Sequence, residues 1–287
     1  MRELALGLCI VACGCGPGSR QDGEPPGGGG YADASVQGGG GDCADGTELV
    51  YVIDQLSDRL SSFDPATKTF HDLGSLSCPT MAGASPFSMS VDRGGTAWVL
   101  YNSGEMFTVA LATLGCTKTT WHGANGLNVF GMGFSTDMPG GSTESLYVGG
   151  GANQMQTSYT LARLDLTNMT AMPLGTQPQI PEMTGTGKAE LWGFMPEATQ
   201  ARVVQFDRTN GSIVKSYNEP TLAGTMTGYA FAQWGGDFWV FLIKNNEPST
   251  TVYQVDGMTG AIKGTTPTTG RTIVGAGVST CAPTVVQ

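Results

Sequence analysis

Ala230-Phe231-Ala232, then an apolar run around Trp239, then Val255-Asp256-Gly257-Met258-Thr259-Gly260, then Ala261 to Gly264 form one unit of a pattern that recurs along this chain. The first piece alternates small and large residues with the period of two of a strand, its small positions on one face. The second is an apolar strand carrying an aromatic. The third ends in Asp, whose side chain can bond back to the turn that follows, and the fourth leads away from that turn. Working outward, the aromatic recurs at Tyr51, Trp98, Tyr147, Trp192 and Trp239, with steps of 47, 49, 45 and 47 residues. Strand ends at Phe63-Asp64, Ala110-Leu111, Leu164-Asp165, Phe206-Asp207 and Val255-Asp256 follow them in turn. Small-residue pieces recur as Ser88-Met89-Ser90, Gly131-Met132-Gly133, Gly185-Thr186-Gly187, Ala230-Phe231-Ala232 and Gly275-Ala276-Gly277.

Four strands every 45–50 residues is the period of a β-propeller blade, and crowding near a common axis explains why the first strand of each unit is small. The ends of the array complement each other. Residues 48–78 supply three strands with no small-residue strand before them, and Thr272 to Ser279 supply that strand alone. The expectation is an all-β, five-bladed β-propeller with four-stranded blades over 43–287, its ring closed by pairing the C-terminal strand with the N-terminal blade. Closure removes the open sheet edges that invite aggregation.

Val50-Tyr-Val-Ile-Asp54 followed by Arg59-Leu-Ser-Ser-Phe-Asp64-Pro-Ala-Thr67 resembles a blade of the bacterial propeller group typified by YVTN and NHL repeats. The likeness is clear in blades one and five and looser in blades two to four. It implies an architecture and no chemistry.

The amino terminus reads as an address. Leu4 to Ala12 is apolar but about half the length needed to span a bilayer, which suits a signal-peptide core. Ile10-Val11-Ala12-Cys13 resembles the bacterial lipobox, which implies Cys13 as the lipidation site and a membrane anchor; Cys15 after Gly14 is a second acceptor in the same register, and an ordinary cleaved signal is the alternative. The same resemblance, with Gly14 rather than Asp after the Cys, implies an outer-membrane lipoprotein, periplasmic or cell-surface. Residues 14–42 are Gly- and Pro-rich with almost no large apolar side chains, and so read as a disordered tether. A Gly-rich coil of that length reaches on the order of 30 Å.

Four cysteines lie beyond the signal, and an even number in an exported chain points to disulfides, with three possible connectivities. Ring closure brings Cys43 near Cys281, which leaves Cys78 and Cys116 as the second pair. Zinc is a poor competitor because no two of the four are close in sequence and no His adjoins one.

Composition narrows the function. A net charge of −10 argues against nucleic acid, which needs a basic surface. Only 13% of residues are charged, about half the usual share. The two histidines, His71 and His122, cannot make a three-His metal centre, and no nucleophile elbow, His-Glu-x-x-His or phosphate loop is present. No catalytic residue, metal or cofactor is therefore assigned. Asp92 and Glu182 fall at the margins of the small-residue strands, which counts against the paired carboxylates of a glycosidase.

Binding is better supplied. Loops entering each inner strand and loops after each aromatic strand share one face, which gathers Asp54, Asp58, Asn102, Trp121, His122, Asn125, Asn128, Asn153, Gln154, Asn246 and Glu247. Trp121, His122, Asn125, Asp54 and Asn102 form the expected ligand set, with Trp121 stacking on a sugar or peptide and the amides hydrogen-bonding to it. The reading is a lipid-anchored, extracytoplasmic, monomeric binding or scaffold domain for a glycan, a peptide or an envelope protein. The alternative is a hydrolase or lyase using acidic residues and His122 at the channel mouth.

Overall fold

The computed structural model describes residues 42–285. Cys13 with its lipobox and nearly all of the expected tether therefore lie outside the described residues. Twenty strands form five antiparallel four-stranded sheets. The chain enters with β1 (Val50–Asp54), β2 (Arg59–Asp64) and β3 (Thr69–Ser75). The second sheet is β4 (Pro86–Val91), β5 (Thr96–Tyr101), β6 (Met106–Ala110) and β7 (Cys116–Lys118). The third is β8 (Val129–Thr136), β9 (Glu144–Gly151), β10 (Tyr159–Asp165) and β11 (Thr170–Gln177). The fourth is β12 (Glu182–Gly185), β13 (Leu191–Met195), β14 (Ala201–Phe206) and β15 (Ile213–Glu219). The fifth is β16 (Met226–Trp234), β17 (Asp237–Lys244), β18 (Thr251–Asp256) and β19 (Ile262–Pro267). The last strand, β20 (Ile273–Val278), pairs with β1 and completes the first sheet in the order β20-β1-β2-β3.

Strands β20, β4, β8, β12 and β16 each pack against the next, and β16 packs back on β20, so the five sheets close as the blades of a β-propeller. One register holds in every blade. The recurring aromatic pairs with a small residue of the inner strand: Tyr51 with Gly277, Trp98 with Ser90, Tyr147 with Gly133, Trp192 with Thr184 and Trp239 with Ala232. A large ring lies beside a residue that leaves it room, and the small residue in turn lets neighbouring inner strands approach. A Cβ on Gly185 would meet the Phe134 carbonyl oxygen, and one on Gly275 would lie 2.9 Å from the Met89 nitrogen.

The core is divided among the blade interfaces. Val50, Val52 and Phe63 face Ala230, Trp239 and Phe241 of the fifth blade, whereas Tyr51, Ile53 and Leu60 face Met89, Val91 and Val99 of the second. Alternation along one strand thus serves two neighbours. Phe63, Trp239 and Phe241 meet edge to face at 5.3 and 5.4 Å.

The turn after the third strand is built alike in four of the five blades, the second having Ala110 in place of the Asp. Asp64, Asp165, Asp207 and Asp256 accept backbone N–H groups two or three residues on, as Ala66, Thr167, Thr209 and Met258 show. Each turn ends on a positive φ, at Lys68, Leu114, Met169, Gly211 and Gly260, so three blades hold a side chain where two use glycine.

One strand corrects the sequence reading. Gly185-Thr186-Gly187 is not the centre of the fourth inner strand, because β12 runs Glu182–Gly185. Thr186 begins a turn, accepting Ala189 N–H at 3.2 Å, and a Cβ on Gly187 would lie 2.7 Å from the Thr280 carbonyl oxygen. Those small residues make room for a crossing segment. Glu182 consequently belongs to the inner strand itself.

Candidate site at one mouth of the axis

The two ends of the ring are built differently. At the end where inner strands finish, residues 279–283 cross the axis and touch every blade. Ser279 Oγ donates to the Thr47 carbonyl at 2.8 Å, and Thr280 takes Arg93 Nη1 at 3.1 Å while donating to Glu144 Oε2 at 2.7 Å. The Pro283 carbonyl accepts Gly235 N–H at 2.7 Å and Gln233 Nε2 at 3.2 Å, and Thr280 lies over Gly187. Ser279 to Ala282 are buried. The Cys43–Cys281 disulfide pins this plug to the start of the domain, and Cys78–Cys116 ties the segment before β4 to the outer edge of the second blade. The pairing expected from ring closure is the pairing found. Such bonds persist in oxidising compartments, outside the cytoplasm. Burial pushes Glu144 up to about 7, against the pull of its bonds to Thr280 and Arg93 N–H.

At the opposite end the axis is open. Gln55, Phe87, Gln154, Gln179, Ile180, Pro196, Thr225, Thr227, Tyr229 and Val274 enclose a cavity of about 380 Å³ with Glu182 in its wall. These residues lie where inner strands start and second strands end, the face expected of a loop-built site. Glu182 is the first residue of β12 and is 2% exposed. Its Oε2 accepts from Ser88 Oγ at 3.0 Å, a bond between the fourth and second blades, which are not neighbours in the ring. Burial raises Glu182 well above the usual carboxylate range, with Ser88 opposing weakly. Tyr229 donates to the Ile180 carbonyl at 3.2 Å, and burial followed by the nearby Glu182 pushes its phenol up as well. The cavity wall thus carries a carboxyl group that burial biases toward its neutral form, with amides, hydroxyls and two aromatic rings around it.

The five residues expected to bind ligand are not in this wall. Trp121 is not the exposed platform expected: it is 4% exposed and packs edge-on against Phe130 at 5.6 Å, a buried ring under the blade-two to blade-three connection. His122 is exposed beside it, with Nδ1 3.0 Å from the Thr120 carbonyl. Asn125 sits at φ 57 and donates to the Ala171 carbonyl at 2.7 Å, on the flank of the third blade. Asp54 accepts Leu56 and Ser57 N–H at 3.0 Å and Thr272 N–H at 2.6 Å, which fixes the loop at the seam. Asn102 Oδ1 accepts Ser85 N–H at 3.1 Å. Of the eleven loop residues gathered from sequence, Gln154 alone lines the cavity. Among the described residues, no three His, Cys, Asp or Glu side chains come together as a metal site.

Glu182 and Gln55 are what sequence reasoning passed over. A carboxylate three residues before a small-residue run was a signal, but the run was centred too late, which left Glu182 outside the strand.

No protein-family model matches this chain, and no curated protein matches it. Among solved structures, TolB from Acinetobacter baumannii aligns with 75% of this chain at 15% identity and TM-score 0.42, and the chain spans 51% of its length. A Lactobacillus plantarum protein aligns with 82% of this chain, and 72% of its own, at 13% identity and TM-score 0.44. Hydrazine synthase from Kuenenia stuttgartiensis covers 83%, and 69% of its own chain, at 12% identity and TM-score 0.42. The five-bladed assignment rests on the closed circuit of sheets in this chain.

Proposed function

We propose that this chain is an extracytoplasmic binding module, anchored by lipid at Cys13, that captures a small polar ligand in the axial cavity. The observation that carries the reading is the asymmetry of the ring: at one end a plug hydrogen-bonded to four blades and lying over Gly187 of the fourth in order, and at the other a cavity of about 380 Å³ with a buried carboxyl group in its wall. Concave sites with a few polar groups among apolar walls are the usual form of ligand pockets. The lining contains amides, hydroxyls and the rings of Phe87 and Tyr229 but, among the described residues, no Lys, Arg or His, which suits a glycan or peptide and disfavours an anion. Glu182 is the one carboxylate of the lining, and His122 is not part of it, which weighs against the hydrolase reading because glycoside hydrolysis needs a carboxylate pair.

The test is thermal unfolding of the oxidised full chain in mild detergent against neutral oligosaccharides, cell-wall fragments and short peptides, since a ligand of the folded state raises the midpoint. A rise abolished in Phe87→Ala and Gln154→Ala, but kept in Lys215→Ala on an outer strand, supports the cavity. A rise that survives both cavity changes refutes it. Fatty-acid labelling that disappears in Cys13→Ser tests the anchor.

A further inference from the structure

The cavity wall holds a buried carboxyl group that no cationic side chain of the described residues faces. Ser88, the partner of Glu182 Oε2, is a neutral donor. From β8 the neighbour is backbone, for a Cβ on Gly131 would lie 2.8 Å from Glu182 Cα. From β13 the ladder partner is Phe194. From β16 comes Tyr229, whose hydroxyl proton is committed to the Ile180 carbonyl. Among the described residues, no cationic side chain lines the cavity. A buried carboxylate with no counter-charge is costly as an anion and waits for a partner of opposite sign. The open side from which that partner can come is the cavity. Phe87 and Tyr229 add aromatic faces, which attract cations, and Gln55, Gln154 and Thr227 supply oxygen acceptors for N–H groups. A chain of net charge −10 also draws cations toward itself.

We propose that the axial cavity selects ligands bearing a protonated amine, carried on a sugar or at the end of a peptide, whose ammonium docks on Glu182. The assignment rests on the cavity being the binding site. On docking, the carboxylic proton of Glu182 leaves to the buffer and the ammonium takes its place, so that a carboxylate and a cation remain in contact. Binding is therefore coupled to proton release wherever Glu182 starts protonated. The resulting charge-assisted hydrogen bond is stronger than any neutral contact the walls offer. A divalent metal is the competing cation, but it demands several oxygen ligands and Glu182 brings one carboxylate.

The experiment is calorimetric titration of the oxidised full-length protein at neutral pH, in two buffers of different ionisation enthalpy. The ligands are a glucosamine trimer and a trialanine amide, each beside its N-acetylated counterpart. One amine series binds, its acetylated form is weaker by about 30-fold or more, and binding releases protons. Which series binds identifies the sugar or the peptide source. Glu182→Gln, which keeps a partner for Ser88, weakens the amine to the level of the acetylated form. If that variant does not fold, proton release and the acetylation contrast in the unaltered protein decide. Acetylated ligands binding as tightly as amines, or Glu182→Gln binding amines unchanged, overturns the ammonium assignment and leaves the cavity standing. Midpoint rises caused by calcium with both amines silent do the same. Silence from amines, acetylated forms and neutral ligands alike overturns the cavity as well.

Discussion

Cys43 and Cys281 are bonded with Cα atoms 6.1 Å apart, although 238 residues of chain separate them. The bond spans the two strands whose pairing closes the ring, since Cys43 precedes β1 and Cys281 follows β20. Its main effect is on the unfolded chain, where it closes a very long loop, and the chain-entropy estimate for such a loop is about 5–6 kcal/mol. Cys78–Cys116 closes only 38 residues and contributes less by the same account, about 3–4 kcal/mol. The paired variant Cys43→Ser with Cys281→Ser is therefore expected to lower stability more than Cys78→Ser with Cys116→Ser. Denaturant midpoints of the two double variants check the order. An equal loss, or a larger one from the shorter loop, would show that native contacts rather than loop closure decide.

Gly131 tests the crowding of the axis. A Cβ there would meet the Pro181 carbonyl oxygen and lie 2.8 Å from Glu182 Cα, backbone atoms at the start of the neighbouring inner strand. Backbone cannot rotate away as a side-chain tip does, so β8 and β12 must separate. Gly131→Ala is expected to cost about 1–3 kcal/mol, as overpacking does, and to widen the cavity mouth beside Glu182. Urea unfolding gives the stability, and a cost within error of zero would mean that the inner strands are not held at this spacing.

The fold was legible because each blade repeats the same two constraints. A ring needs small residues inside and large ones one strand out, and Trp98 opposite Ser90 or Trp239 opposite Ala232 state that directly in sequence. The complementary ends were legible for the same reason, as Gly275-Ala276-Gly277 found its aromatic partner in Tyr51. The site was less so. Which loop residues turn toward the axis depends on local geometry that composition does not encode. Asp54 spends its oxygens on Leu56, Ser57 and Thr272, and Asn102 bonds Ser85, before either can reach a ligand. Glu182 was hidden by its neighbours. Gly185-Thr186-Gly187 looks like an inner strand but is small because Thr280 passes over it, a contact with residues almost a hundred positions away.

Trp121 separates burial from binding. Its ring is 4% exposed against Phe130, and its indole N–H has no hydrogen-bond partner, so it contributes packing alone. Trp121→Ala is expected to destabilise by about 3–5 kcal/mol, the range for large aromatic truncations. The midpoint rise produced by a cavity ligand should persist on top of that lower baseline. Loss of the ligand-induced rise with little loss of stability would return Trp121 to the binding surface.

The carboxylates divide into two groups that act at opposite ends of the pH scale. Burial holds Glu144 and Glu219 up at about 7, above the ordinary 4.5. Between those values the folded state keeps protons that the unfolded chain has released, so stability falls as pH rises from about 4.5 to about 7. Asp72 and Glu105 lie the other way. The hydrogen bond from Arg271 holds Asp72 at about 2, and that from Lys118 does the same for Glu105. Their contribution is present above the ordinary carboxylate range and is lost as pH falls through about 4 toward about 2. The two trends cross, and maximum stability is expected at about pH 4.5, below the usual optimum between about 5 and 8. Glu144→Gln should flatten the alkaline limb by removing the penalty of ionising a buried group beside Thr280 and Arg93, and Asp72→Asn should flatten the acid limb. Denaturant midpoints from pH 3 to pH 8 measure both. A stability that climbs steadily from pH 5 to pH 8 would contradict the sign argued for Glu144 and Glu219, and would mean that both carry their charge in the folded ring.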